Sequence, residues 1–171
     1  MGKKLKALLS ILLICVCLSG CAGSAGTGTT YHVTMSIRCD TAVANGLCEE
    51  EKWKGILPED GCILPETEFE VKEGTTAFDL LCTVRDEYGI HMEYSGAAGN
   101  QYVAGINNLY EFDGGRWSGW MYSVNGEYPN YGCGKYELQD GDVVSWDYTC
   151  DLGLDLKADM PGAKEWMDTH E

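Results

Sequence analysis

Apolar and polar residues alternate along four stretches of the chain. Each is expected to be a strand, because successive strand side chains point to opposite faces. Tyr31 to Ile37 places Tyr31, Val33, Met35 and Ile37 on one face. Glu68 to Lys72 alternates again and stops before Gly74. Trp120 to Val124 gathers Trp120, Tyr122 and Val124 on one side. Val143 to Thr149 separates Val144, Trp146 and Tyr148 from Val143, Ser145, Asp147 and Thr149. A half-buried strand hides its apolar face, so these alternating aromatics are expected to belong to the core. Asp140-Gly141 is a favourable hairpin turn, expected to join Tyr136–Leu138 to the last strand.

The period changes once to that of a helix. Ala77, Leu81, Val84 and Tyr88 recur at helical spacing. Thr76 is a suitable N-cap with Asp79 three positions on, and Gly89 can end the helix. Ile90 to Tyr94 resumes a strand, and Gln101 to Phe112 is strand-like with breaks at Gly105 and Asn107-Asn108. Asp40 to Pro65 reads as an ordered loop with a short helical turn near Glu49–Lys54 and Trp53 tucked against the core. Asp151 to Leu156 is expected along a sheet edge, and Pro161 to Glu171 as a frayed helix anchored by Trp166 and Met167. The pattern describes an α+β, β-rich chain with one main helix on a mixed or antiparallel sheet.

Three aromatics escape the alternation. Trp117, Tyr128 and Tyr131 lie among Gly, Ser, Pro and Asn, so they are the candidates for touching a ligand, with Asn125 and Asn130 offering amide hydrogen bonds. Rigid rings bury large area at low entropic cost, which suits a flat, partly apolar ligand such as a corrin, a sugar ring or a protein partner.

The first residues form a targeting segment. Lys3, Lys4 and Lys6 precede an apolar run from Ala7 to Leu18, which is shorter than the roughly 20 residues a membrane-spanning helix needs. Leu18-Ser19-Gly20-Cys21 resembles a bacterial lipobox, so residues 1–20 are expected to be a lipoprotein signal peptide and Cys21 the lipidated residue. Residues 22–30 are a Gly/Ala/Ser/Thr tether. This places the chain on the extracellular face of the cell membrane, held by acyl chains. The net charge is −15, and losing residues 1–20 with their three lysines takes it to −18. Such a surface repels phosphate backbones, so nucleic acid is not an expected partner.

Six cysteines follow Cys21, an even number that in an exported chain suggests disulfides. Cys133 with Cys150, and Cys48 with Cys62, are the candidate pairs, although 15 connectivities are open. Cys82 falls inside the expected helix as a buried free thiol. There is no C-x-x-C, H-E-x-x-H, G-x-S-x-G or P-loop, so no zinc ribbon, zincin, serine hydrolase or nucleotide-binding reading is supported, and no enzyme is expected.

One set of motifs points to a family. Gly105-Ile106-Asn107, Ser118 to Gly126 and Asp140 to Val144, in the order strand, long loop, strand, helix and then further strands, resemble the transcobalamin-like C-terminal domain family. That family occurs in many lipoproteins of Gram-positive bacteria and is related to the C-terminal domains of transcobalamin and intrinsic factor. The resemblance covers roughly residues 31–153, with 154–171 as a tail. It implies a β-grasp-like domain, and it matches Trp120 and Tyr122 to the carriers' tryptophan-x-aromatic strand. In those carriers the domain closes over a cobalamin held against a separate helical domain. No part of this sequence matches that helical domain. The resemblance therefore implies a bound corrinoid and a helical partner domain or transporter, requires no resident cofactor, and assigns no cobalt ligand here.

Overall fold

The computed structural model describes residues 28–170. The expected signal peptide and Cys21 lie outside the described residues.

The fold is α+β and β-rich. Strand β1 (Thr30–Arg38) buries Val33, Met35 and Ile37, the three residues its alternation singled out after Tyr31. Helix α1 (Asp40–Ala44) and a 3₁₀ turn (Leu47–Glu49) follow, and then β2 (Cys62–Lys72). Helix α2 spans Ala77–Tyr88. Strands β3 (Met92–Ser95), β4 (Tyr102–Ile106) and β5 (Leu109–Tyr110) form a small antiparallel sheet. Strands β6 (Gly119–Val124) and β7 (Val143–Thr149) return to the main sheet, and α3 (Ala163–Thr169) ends the described chain.

The main sheet has the order β2-β1-β7-β6. The pair β1–β2 is antiparallel, as is β6–β7, while β1 and β7 are parallel, with Met35 opposite Val144 and Ile37 opposite Trp146. Val33, Met35 and Ile37 thus share one core with Val144, Trp146 and Tyr148, with Trp120, Tyr122 and Val124, and with Phe78, Leu80, Leu81 and Val84 of α2. Each fully buried aliphatic side chain contributes about 1.5–3 kcal/mol.

Helix α2 begins and ends where its local chemistry requires. Thr76 Oγ1 accepts from the Asp79 N–H at 3.1 Å, and the Thr76 N–H donates to Asp79 Oδ2 at 3.0 Å, a closed capping box. Gly89 terminates it at φ +66°, in the left-handed region that other residues enter at a cost.

Three expectations change. The Asp140-Gly141 turn exists, but Tyr136–Leu138 is not the hairpin partner of β7. The Leu138 N–H donates to Thr75 O and the Ala77 N–H to Tyr136 O, both at 2.9 Å, so this segment serves the start of α2. The helical turns of the long loop are Asp40–Ala44 and Leu47–Glu49, so the turn expected near Glu49–Lys54 ends at the start of the acidic cluster and a further one precedes it. The third concerns the cysteines. All six among the described residues are free, and neither Cys133–Cys150 nor Cys48–Cys62 is bonded. Cys133 Sγ lies 4.0 Å from Gln101 O and Cys150 Sγ lies 3.8 Å from Thr41 Oγ1, so each is packed on a different element.

Among the described residues no helix is long and apolar enough to cross a membrane.

Candidate ligand-binding cleft

A loop pinned from beneath builds the site. Between β5 and β6 the chain turns through residues 111–118, and its anchor is the Tyr148 hydroxyl of β7. That group donates to Tyr110 O at 2.7 Å, accepts from the Gly114 N–H at 3.0 Å and lies 2.9 Å from Ser118 Oγ. Burial pushes the Tyr148 phenol up to about 12, so it stays a donor at ordinary pH. Asp113 Oδ2 accepts from the Tyr110 N–H at 2.8 Å, and Asp113 Oδ1 pairs with Lys52 Nζ at 2.7 Å.

The loop so held turns apolar residues outward. Phe112 adopts φ +68° and is 63% exposed, an uncommon conformation for a bulky residue and an uncommon exposure for a phenylalanine. With Tyr102, Arg116, Trp117 and Trp166 it rims a cleft of about 330 Å³. Trp120, Met121, Leu152 and Met160 also line it. Trp120 is 8% exposed and tied by its Nε1–H to Leu109 O at 2.8 Å. Trp117 meets Trp166 of α3 edge to face, and the Arg116 guanidinium lies 4.9 Å from the Trp117 ring centre. The Tyr102 hydroxyl donates to Glu111 Oε2; burial and then that carboxylate raise its phenol to about 12.

The candidates from the sequence separate here. Trp117 and Trp120 line the cleft. Tyr122 is buried, and its hydroxyl donates to Tyr131 O at 2.7 Å. Asn125 sits in a tight turn at φ +54°, where its Nδ2–H donates to Asp142 Oδ1 at 2.8 Å and its Oδ1 accepts from the Val143 N–H at 3.0 Å. Tyr128 donates to Asp147 Oδ2 at 3.1 Å. Asn130 is exposed, and Tyr131, 48% exposed, stacks on Tyr136 with ring centres 6.0 Å apart. Tyr131 and Asn130 thus form a second exposed patch outside the cleft. Tyr102, Phe112 and Trp166 were missed by sequence reasoning. The signals present were the break at Asn107-Asn108 and a tail in which Trp166 is the one Trp, Tyr or Phe.

Among the described residues no group of three or more His, Cys, Asp or Glu side chains is arranged to hold a metal ion.

Residues 74–150 match the family model described as "Domain of unknown function (DUF4430)". This span holds α2 through β7, hence the pinned loop and Trp117. Among solved structures, haptocorrin in complex with Cbi shares the fold, at a TM-score of 0.50 and 15% identity over 77% of this chain. The chain spans 28% of the haptocorrin chain. A Ruminococcus gnavus protein described as metal binding has 17% identity and a TM-score of 0.40, over 70% of this chain and 96% of its own. No curated protein matches the chain by sequence. The cleft lies where the small sheet, β6 and α3 converge, and α3 falls outside residues 74–150.

Proposed function

We propose that this chain is a non-enzymatic ligand-binding lipoprotein, held on the extracellular face of the cell membrane through Cys21, whose cleft captures a flat, partly apolar ligand. The leading ligand is a corrinoid, for capture or hand-off. The observation that carries this reading is the cleft rimmed by Phe112, Trp117 and Trp166, where the exposed rings of Phe112 and Trp166 and the half-buried ring of Trp117 surround about 330 Å³ of open space. Large apolar surface left in contact with water marks binding sites. The fold shared with haptocorrin supports the choice of ligand class. A space of that size contains only part of a corrinoid, so a helical partner domain or a transporter component would complete the enclosure.

A second reading rests on a different patch. Tyr131 stacked on Tyr136, beside the exposed Asn130, is a flat aromatic platform suited to a glycan or protein partner. An adhesion or docking module would use that surface.

Titration of residues 22–171 with cobinamide and cobalamin, followed by absorbance and tryptophan fluorescence, separates the two. Saturable binding weakened by Trp117→Ala, and unaffected by Tyr131→Ala, supports capture in the cleft. Absence of binding at high micromolar corrinoid, with and without a helical partner domain, rejects it.

A further inference from the structure

We propose that this chain forms two disulfides on oxidation, Cys39–Cys48 and Cys82–Cys133, and leaves Cys62 and Cys150 as thiols. All six are free in the structure, so the question is which sulfurs the fold brings together.

Cys39 is the residue before α1 and is fully buried. The helix after it has five residues; Gly46, at φ +80°, then turns the chain back, and the 3₁₀ turn carrying Cys48 packs against α1. Cys48 lies against the same core as Cys39. Burial pushes the Cys39 thiol up to about 12, and the charge of Cys48 is the next cause.

Cys133 belongs to the 3₁₀ turn Cys133–Lys135, which packs on α2, the helix that carries Cys82. Leu138 bonds to Thr75 and Tyr136 to Ala77, so the segments run antiparallel where they meet. Stepping on from Ala77 and back from Tyr136 leads to Cys82 and Cys133. Burial raises Cys133 to about 11, and Cys82 adds to that shift.

Two other pairings, Cys39–Cys62 and Cys133–Cys150, fail on position. Cys62 stands opposite Arg38 in the β1–β2 register, while the neighbouring Cys39 is turned into the core. Cys150 Sγ lies 3.8 Å from Thr41 Oγ1 and Cys133 Sγ 4.0 Å from Gln101 O, so no shared neighbour draws them together.

Oxidation by glutathione disulfide balances as thiol–disulfide exchange. A protein thiolate attacks the glutathione disulfide and releases one glutathione thiolate; the second protein thiolate then displaces the other. Two protein thiols lose two protons and two electrons, and the oxidant leaves as two glutathione thiols.

The test uses the chain from residue 22 on, which retains every residue of the fold described above. It is equilibrated in a glutathione redox buffer, quenched with acid, unfolded and alkylated with N-ethylmaleimide in guanidinium chloride, then digested with trypsin and mapped by mass spectrometry. Peptide 39–52 contains both Cys39 and Cys48 and is expected unalkylated and two hydrogens lighter. Peptide 73–85 is expected bridged to peptide 117–135, with peptides 55–72 and 136–157 alkylated at Cys62 and Cys150. A bridge from 117–135 to 136–157, a bridge from 39–52 to 55–72, or alkylation of all six cysteines overturns the assignment. Cys82→Ser is expected to render Cys133 alkylatable while Cys39 and Cys48 stay protected; protection of Cys133 in that variant also overturns it.

Discussion

Trp117 and Trp166 meet edge to face with ring centres 5.0 Å apart, joining the pinned loop to the C-terminal helix. Trp166 is 48% exposed, so its contact with Trp117 leaves much of the ring available to an occupant of the cleft. An edge-to-face pair contributes about 0.5–1.5 kcal/mol. Trp166→Ala is therefore expected to weaken cobinamide binding about 2- to 12-fold if the ligand makes a comparable contact. Fluorescence titration measures the affinity, and a melting curve close to the wild type shows that the core is intact. An unchanged affinity would remove α3 from the site.

Phe112 combines positive φ with high exposure. A residue with a Cβ in that region costs about 1–2 kcal/mol, and only a functional or packing need retains it. Phe112→Gly is expected to raise stability to urea while lowering affinity for the cleft ligand. A variant both less stable and unchanged in binding would mean that the ring serves packing alone.

Asp147 is half-buried, with hydrogen bonds from Ser145 and Tyr128. Burial is the leading cause of its raised pKa. A carboxyl raised in the folded state stabilises the fold in its protonated form. That contribution is complete below the unfolded value of about 3.9 and is lost as pH rises through the folded value. Asp147→Asn is thus expected to be more stable than the wild type at pH 7, with the difference shrinking towards pH 4. Thermal melts of both proteins across that range check the sign.

Asn125 supports the turn between β6 and the segment leading to β7. Truncation to alanine leaves the Val143 N–H and one oxygen of the buried Asp142 without their partner. It also places a Cβ residue with no local hydrogen bond at φ +54°. Asn125→Ala is expected to cost roughly 1–3 kcal/mol in urea unfolding, with corrinoid affinity unchanged. A loss of affinity at undiminished stability would restore Asn125 as a ligand contact.

A Cβ built on Gly114 would stand 2.9 Å from Cys150 Sγ. In a disulfide each Cβ lies about 3 Å from its partner's sulfur. Gly114→Cys is expected to form a bridge to Cys150, provided the Tyr148 ring 3.0 Å away shifts slightly. Protection of both cysteines from alkylation and a higher melting temperature, each reversed by a reductant, would establish it.

Much of the frame was legible because its causes are local. Thr76, Asp79 and Gly89 bracket α2, and the alternation from Trp120 and from Val143 predicts which rings are buried. Partnership was not legible at Asp140-Gly141, because turn chemistry does not say whether Leu138 bonds to β7 or to Thr75. The parallel contact of β1 and β7 leaves no local trace, since neither strand differs in pattern from an antiparallel one. Trp117 stood out by lying outside the alternation. Phe112 and Trp166 did not, because the first is exposed by a backbone held from Tyr148 and the second reaches the cleft only through packing of the tail.

The parallel pairing of β1 with β7 has a consequence for synthesis. The central contact of the main sheet joins the first strand to the last, so the sheet cannot close until Thr149 has left the ribosome. Such non-local pairing is slow to form. Almost the whole chain is therefore made before its core is sealed, which leaves a window in which it can still be threaded through a narrow channel.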